Sequence, residues 1–254
     1  MDFILMLDSS YQPSKVYSHM NIFISSEPQH KAKAQELARA LALIYSPEPK
    51  DGLVLYLFAE RLELREAGTK TGPVFVDFEA LAKRLKQGKD LLAKAVGVKG
   101  SYAPTVVDAT AGLGQDAFIL ASYGCQVYMI ERSPVIAALL QDGLERASEM
   151  AQVSRLHLMI GDAKKVLRLL PYKPEVIYLD PMYPESGKSA AKRKEMRLFR
   201  ELVGDDLDIE ELFEIALKTA TKRVVLKRPL KAPKLGKPNT IYQGSTIRFD
   251  VYLI

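Results

Sequence analysis

The residues best suited to chemistry fall in one short run, Asp180-Pro181-Met182-Tyr183-Pro184, directly after the apolar stretch Val176-Ile177-Tyr178-Leu179. An amino group attached to an aromatic ring is a poor nucleophile, because its lone pair is delocalised into the ring. A carboxylate and a backbone carbonyl that accept its two N–H hydrogens favour a pyramidal, more nucleophilic nitrogen. The ring of Tyr183 can stack on a base that has left its helix or loop. Asp180, Pro181 and Tyr183 are therefore the candidate catalytic residues, and the chemistry they suit is group transfer to an exocyclic amine of a nucleobase.

A second run supplies the other half of such a reaction. Thr105–Asp108 reads as a strand that leads into Ala109-Thr110-Ala111-Gly112-Leu113-Gly114-Gln115-Asp116-Ala117. Gly112 and Gly114 let the backbone turn sharply and approach a ligand, and Ala117 permits close helix–strand contact. Asp108 stands four positions before Gly112, where a dinucleotide-binding strand usually runs straight into its first glycine. A carboxylate there suits a ligand with a cationic end and no pyrophosphate, which describes S-adenosylmethionine. Glu131 ends the next strand, 17 residues after Gly114, and can accept both hydroxyl hydrogens of a ribose. Asp162, after the third strand, can reach an adenine amino group.

These residues need elements to position them. Before residue 100, Pro28–Tyr45 has helical apolar spacing, and Leu53–Phe58, Arg61–Arg65 and Val74–Phe78 read as strands of a small antiparallel meander. Glu79–Val96 again reads as a helix, and Gly97, Gly100 and Pro104 mark a boundary. From Thr105 strands and helices alternate: helices at Gln115–Tyr123, Pro134–Met150, Ala163–Leu170 and Leu207–Thr221, strands at Gln126–Glu131, Leu156–Ile160, Val176–Asp180 and Arg223–Lys227. Ile241–Tyr242 and Ile247–Leu253 can close the sheet as a hairpin. Such alternation predicts a mainly parallel sheet with helices on both faces, whose ligands sit at the carboxyl ends of the strands.

The 254 residues suffice for one large or two small domains. One cysteine, Cys125, and three histidines provide neither an internal disulfide nor a Cys/His zinc site, which fits a reducing cytoplasm and a metal-free reaction. No apolar run approaches the roughly 20 residues of a membrane span, and Phe3–Leu7 reads as a strand. The net charge of +5 is unevenly spread. Lys83–Lys99, Glu185–Arg200 and Lys222–Lys237 hold 6, 6 and 7 basic residues against 1, 2 and 0 acidic ones, which leaves −11 on the remainder. A chain so polarised can present a basic face to a polyanion.

Several segments together resemble a known family. Asp180–Tyr183 is similar to the (Asp/Asn)-Pro-Pro-(Tyr/Phe) motif of amine methyltransferases, with Met182 at the second Pro. VFVDF (Val74–Phe78), LAKAVGVKG (Leu92–Gly100), the stretch Val106–Ala147, YLDPMYP with KSAAKRKEMR (Tyr178–Arg197), RVVLKRP (Arg223–Pro229) and RFDVY (Arg248–Tyr252) resemble the bacterial 16S ribosomal RNA guanine-N2 methyltransferases known as small-subunit methyltransferase J. The resemblance runs from about Val74 to the C-terminus. The small mixed α+β region over 1–100 is a candidate for RNA recognition, and the resemblance implies a Rossmann-like class I methyltransferase α/β sheet over 101–254. It also implies methyl transfer from S-adenosylmethionine to N2 of a guanosine in small-subunit ribosomal RNA or the assembled subunit. By its motifs, the cofactor is held by Gln115, Asp116, Glu131, Arg132, Asp162, Ala163 and Asp180, besides Asp108, Gly112 and Gly114. The sequence departs from the family pattern at Gln115, often arginine there, at Asp162-Ala163, often two serines, and in a glycine-rich stretch reduced to Gly88. The basic residues Lys188, Lys192, Arg193, Lys194 and Arg197 are the expected RNA contacts. A nicotinamide-dependent oxidoreductase and a non-catalytic RNA-binding module on the same fold are the alternatives.

Overall fold

The computed structural model describes residues 21–70, 72–85, 90–181, 202 and 208–254. The strand expected at Phe3–Leu7, Met182 to Pro184 and the basic run 188–197 lie outside the described residues.

Among the described residues the first sheet has four strands: β1 (Ile22–Ser26), β2 (Ile44–Tyr45), β3 (Leu53–Leu57) and β4 (Leu62–Glu66), in the order β2-β1-β3-β4. β3 and β4 form the expected antiparallel pair, and Val74 bridges onto Leu64. Sequence reasoning missed β1, which pairs in parallel with both β2 and β3. Helix α1 covers only Lys31–Leu41 and not the whole of Pro28–Tyr45. Ala42 takes a left-handed conformation and its N–H closes the helix on Ala38 and Arg39, which frees Ile44 and Tyr45 to pair with β1. Val74–Phe78 contributes a bridge and not a strand, because Asp77 caps α2 (Phe78–Arg84) by accepting from Ala80 N at 2.8 Å. The single helix expected over Glu79–Val96 is two, since Asp90 caps a separate α3 (Leu91–Val96) through Leu92 N and Ala93 N.

The second sheet follows the expected alternation. β5 (Val106–Asp108), α4 (Gln115–Ser122), β6 (Val127–Glu131), α5 (Pro134–Arg146), β7 (Leu156–Ile160), α6 (Ala163–Leu169), β8 (Val176–Leu179), α7 (Ile209–Thr219), β9 (Arg223–Pro229), β10 (Thr240–Gln243) and β11 (Ile247–Leu253) appear in that order. Among the described residues the strands lie as β10-β11-β9-β8-β5-β6-β7, and only β11 runs against its neighbours. The chain moves outward through β6 and β7 and then returns to the other side of β5 with β8. The switch point therefore falls between β5 and β8, where a ligand crevice forms.

Side chains alternate between the faces of each strand. Val107, Ile177, Val224 and Leu226 pack with α6 and α7 in one apolar cluster. Val106, Tyr178 and Val225 face the other way, toward α4 and α5, in a cluster that also takes in Ile22, Ile24, Leu55 and Leu64 of the first sheet. One core thus runs continuously from the N-terminal strands into the second sheet.

Candidate active site

Strand parity builds the site. If Val106, Tyr178 and Val225 share a face, so do Asp108, Asp180 and Lys227, each two residues further toward a carboxyl end. Helix α4 covers that face, and its second residue is Asp116. The four polar side chains meet there. Lys227 Nζ donates to Asp116 Oδ2 at 2.7 Å and to Asp180 Oδ2 at 2.8 Å. Tyr178, fully buried, donates its hydroxyl to Asp116 Oδ2 at 2.5 Å. Thr110, in the turn after β5, accepts from the Asp180 backbone N at 2.6 Å and ties the ends of β5 and β8 together.

The electrostatics follow from burial. Asp108 is 2 % exposed, and burial pushes its pKa up to about 8; the charges of Asp116 and Asp180 push the same way, against the Thr110 N–H and Lys227. Burial pulls the Lys227 pKa down, but the carboxylates of Asp180 and Asp116 overcome it and hold its pKa above the ordinary lysine range. Tyr178 is kept protonated, first by burial and then by the neighbouring carboxylates. Three carboxyl groups around one lysine make a centre of negative sign. That sign attracts a sulfonium or ammonium and repels a pyrophosphate.

The glycine turn opens beside this centre. Gly112 has φ +54°, and a Cβ built there would meet nothing within 4 Å, so the backbone itself lines open space. Gly114 has φ +71°, and a Cβ there would lie 2.8 Å from Leu140 Cδ1, so the turn must pass α5 without a side chain. Glu131 is oriented by two backbone donors, Gly112 N at 2.9 Å and Ser133 N at 2.7 Å. These two donors fix the plane of its carboxylate, whose oxygens have about four acceptor positions between them. The acidic centre, the open glycine turn and the fixed Glu131 fit S-adenosylmethionine.

The remaining expected cofactor residues sit around this frame. Gln115 is exposed at the start of α4. Arg132 lies 3.7 Å from Asp208 at the head of α7. Asp162 caps α6 by accepting from Lys164 N at 2.9 Å, with buried Ala163 next to it. Asp162 thus has a structural duty beyond any ligand contact. Pro181 is buried directly after Asp180.

Sequence reasoning missed Thr110, Tyr178 and Lys227. The signal for Lys227 was present: a lysine that follows Val224-Val225-Leu226 in a central strand must find a carboxylate, and its parity with Asp180 says which one.

A switch-point sheet, seven-stranded among the described residues, with an acidic crevice and a glycine turn defines the class of S-adenosylmethionine-dependent methyltransferases. Residues 36–254 match the family model described as "Putative SAM-dependent methyltransferase". The fold is also that of a crystal structure of an S-adenosylmethionine-dependent methyltransferase from Neisseria gonorrhoeae, at TM-score 0.73 and 37 % identity over 91 % of this chain and 95 % of that one. The chain is 48 % identical over 244 residues to the ribosomal RNA small subunit methyltransferase J of Tolumonas auensis, which covers 91 % of this chain and 97 % of that protein. The namesake from Aeromonas salmonicida is 49 % identical over 241 residues, 90 % and 95 % of the two chains. The chain belongs to the small subunit methyltransferase J family, and S-adenosylmethionine is its cofactor.

Proposed function

We propose that this enzyme methylates the exocyclic N2 of a guanosine in small-subunit ribosomal RNA, in the cytoplasm. The observation that carries this reading is Asp180, fixed at the switch point by Thr110 on its backbone and Lys227 on its carboxylate, next to the Gly112 turn. S-adenosylmethionine, when bound, supplies an electrophilic sulfonium methyl.

The chain's own residues supply position and polarity. Asp108 pairs with the cationic end of the cofactor, and Glu131 accepts from its ribose. Asp180 and the neighbouring backbone carbonyl accept the two N–H hydrogens of the target amine. Asp180 would hold the amine nitrogen in line with the sulfonium methyl, so that an N–C bond would form as the S–C bond broke to leave a neutral thioether, and Asp180 would take the nitrogen's excess proton along its hydrogen bond. Lys227 is paired with two carboxylates and protonated, so it acts as a positioning residue and not as a base. Most of the acceleration comes from holding the partners in line. The stacking role of Tyr183 rests on its residue type and its place three residues after Asp180.

The test is methyl transfer from labelled cofactor to ribosomal RNA and to small subunits from a strain that lacks this enzyme, followed by mass analysis of the nucleosides. N2-methylguanosine at one position in small-subunit RNA is the expected product. Label on another base, or none on either substrate, would refute the assignment.

A further inference from the structure

The connection from β9 to β10, residues 230–239, leaves the sheet at the same carboxyl edge as the active site, three residues after Lys227. It has no secondary structure of its own, yet the fold clasps it along its length. Arg248, buried at 5 % exposure, is the centre of the clasp. Its Nε and Nη2 bind Asp250 at 2.8 and 3.1 Å, its Nη1 reaches Pro229 O at 3.1 Å and Leu230 O at 2.5 Å, and its Nη2 also reaches Ala232 O at 2.8 Å. A guanidinium has five N–H donors, and all five are used. Two residues along the same face of β11 from Asp250, Tyr252 donates its hydroxyl to Leu235 O at 2.5 Å. Asn239 closes the far end, with its N–H on Val251 O and its side chain accepting from Leu253 N, both at 2.8 Å.

What this clasped loop displays is Lys231, Lys234 and Lys237, with no acidic residue between Arg223 and Lys237. All three are exposed, and among the described residues none has an ion-pair or hydrogen-bond partner. A merely soluble loop needs no buried arginine to shape it. By contrast, residues 21–70 carry seven basic and seven acidic side chains, so the first sheet offers a polyanion no net attraction.

We propose that the 230–239 loop is a pre-ordered phosphate-binding wall, on which Lys231, Lys234 and Lys237 hold the RNA backbone flanking the target nucleotide. The proposal rests on the reading that RNA is the substrate. Because the loop is already ordered, binding loses less conformational freedom than a flexible lysine tail would lose.

The test measures the affinity of a labelled small-subunit RNA fragment as a function of salt, without cofactor. Three enzymes are compared: the native protein, the triple variant Lys231→Gln/Lys234→Gln/Lys237→Gln, and a charge-matched control, Lys31→Gln/Lys33→Gln/Lys50→Gln, at exposed sites on and near the first sheet. Each lost phosphate contact removes about one unit of slope in log affinity against log salt. The loop variant should flatten the slope by about 2–3 and weaken binding about tenfold or more near physiological salt, while the control tracks the native enzyme. Calorimetric affinity for S-adenosylmethionine should not change in the loop variant. An unchanged slope in the loop variant, or an equal loss in the control, overturns the proposal. Failure of the native enzyme to bind RNA at all would instead overturn the RNA reading beneath it.

Discussion

Asp108 carries an uncommon burden for a carboxyl group. With a folded-state pKa of about 8 it holds a proton at neutral pH until a cation arrives. Cofactor affinity should therefore rise by up to about tenfold per pH unit between pH 6 and 8 and level off above, a dependence that Asp108→Asn should erase while weakening binding. Stability has the opposite sign. A carboxyl whose pKa is raised by folding favours the native state below its unfolded value, near 4, and that contribution is lost as pH rises through 8. At pH 9 the Asn variant should melt higher than the native enzyme, by at least about 2–4 °C if 1 kcal/mol is recovered in a chain of this size; melting curves at pH 5 and pH 9 decide it. Lys227 and Asp180 make a second pair of tests. Asp180→Ala and Lys227→Met should each lower the single-turnover rate by about 10²-fold, as for loss of one preorganised polar group, with smaller effects on RNA binding. Asp180→Asn should retain more activity than the alanine variant, because its amide oxygen still accepts. A fully active Asp180→Ala enzyme would sink the mechanism.

At the scale of elements, legibility followed the strength of the local signal. The parallel strands from Val106 to Leu179 were readable because each is a dense apolar run, and the acidic residues at or after their ends came with them. Ile22–Ser26 was not, because two serines dilute it and its partners are parallel strands distant in sequence. Lys227 escaped notice for a related reason: its meaning lies in parity with residues of two other strands. Some signals ran both ways. Ile44 fits the apolar stripe of α1, yet Ala42 turns the chain and Ile44 becomes part of an edge strand. Gly143 shows how packing outranks propensity. Alanine within a helix is favoured over glycine by about 1 kcal/mol, but a Cβ on Gly143 would sit 2.3 Å from Val76 Cγ1. Overpacking of this kind costs about 1–3 kcal/mol, so Gly143→Ala should destabilise overall. Adding Val76→Ala should recover part of the loss in a double-mutant cycle measured by urea unfolding. Strict additivity would mean that the two residues do not meet.

Across the whole molecule, charge and core are arranged differently. Basic charge is local, concentrated in a few windows, while apolar packing is continuous. Helix α5 is where the continuity is physical. Its first turn is capped by Ser133, whose N–H holds Glu131, and its last two turns meet the N-terminal segment through Gly143 and through Arg146, which donates to Val76 O. Because one apolar cluster spans both sheets, neither can open fully without the other. Ligand occupancy should therefore be recorded far from the ligand. At a cofactor concentration of 100 times Kd, global unfolding becomes about 2.7 kcal/mol harder. Amide protons of Leu55 and Leu64, in strands that touch no part of the crevice, should then exchange with solvent deuterium about 100-fold more slowly, in step with those of β5. If only the second sheet gains protection, the two sheets unfold as separate units.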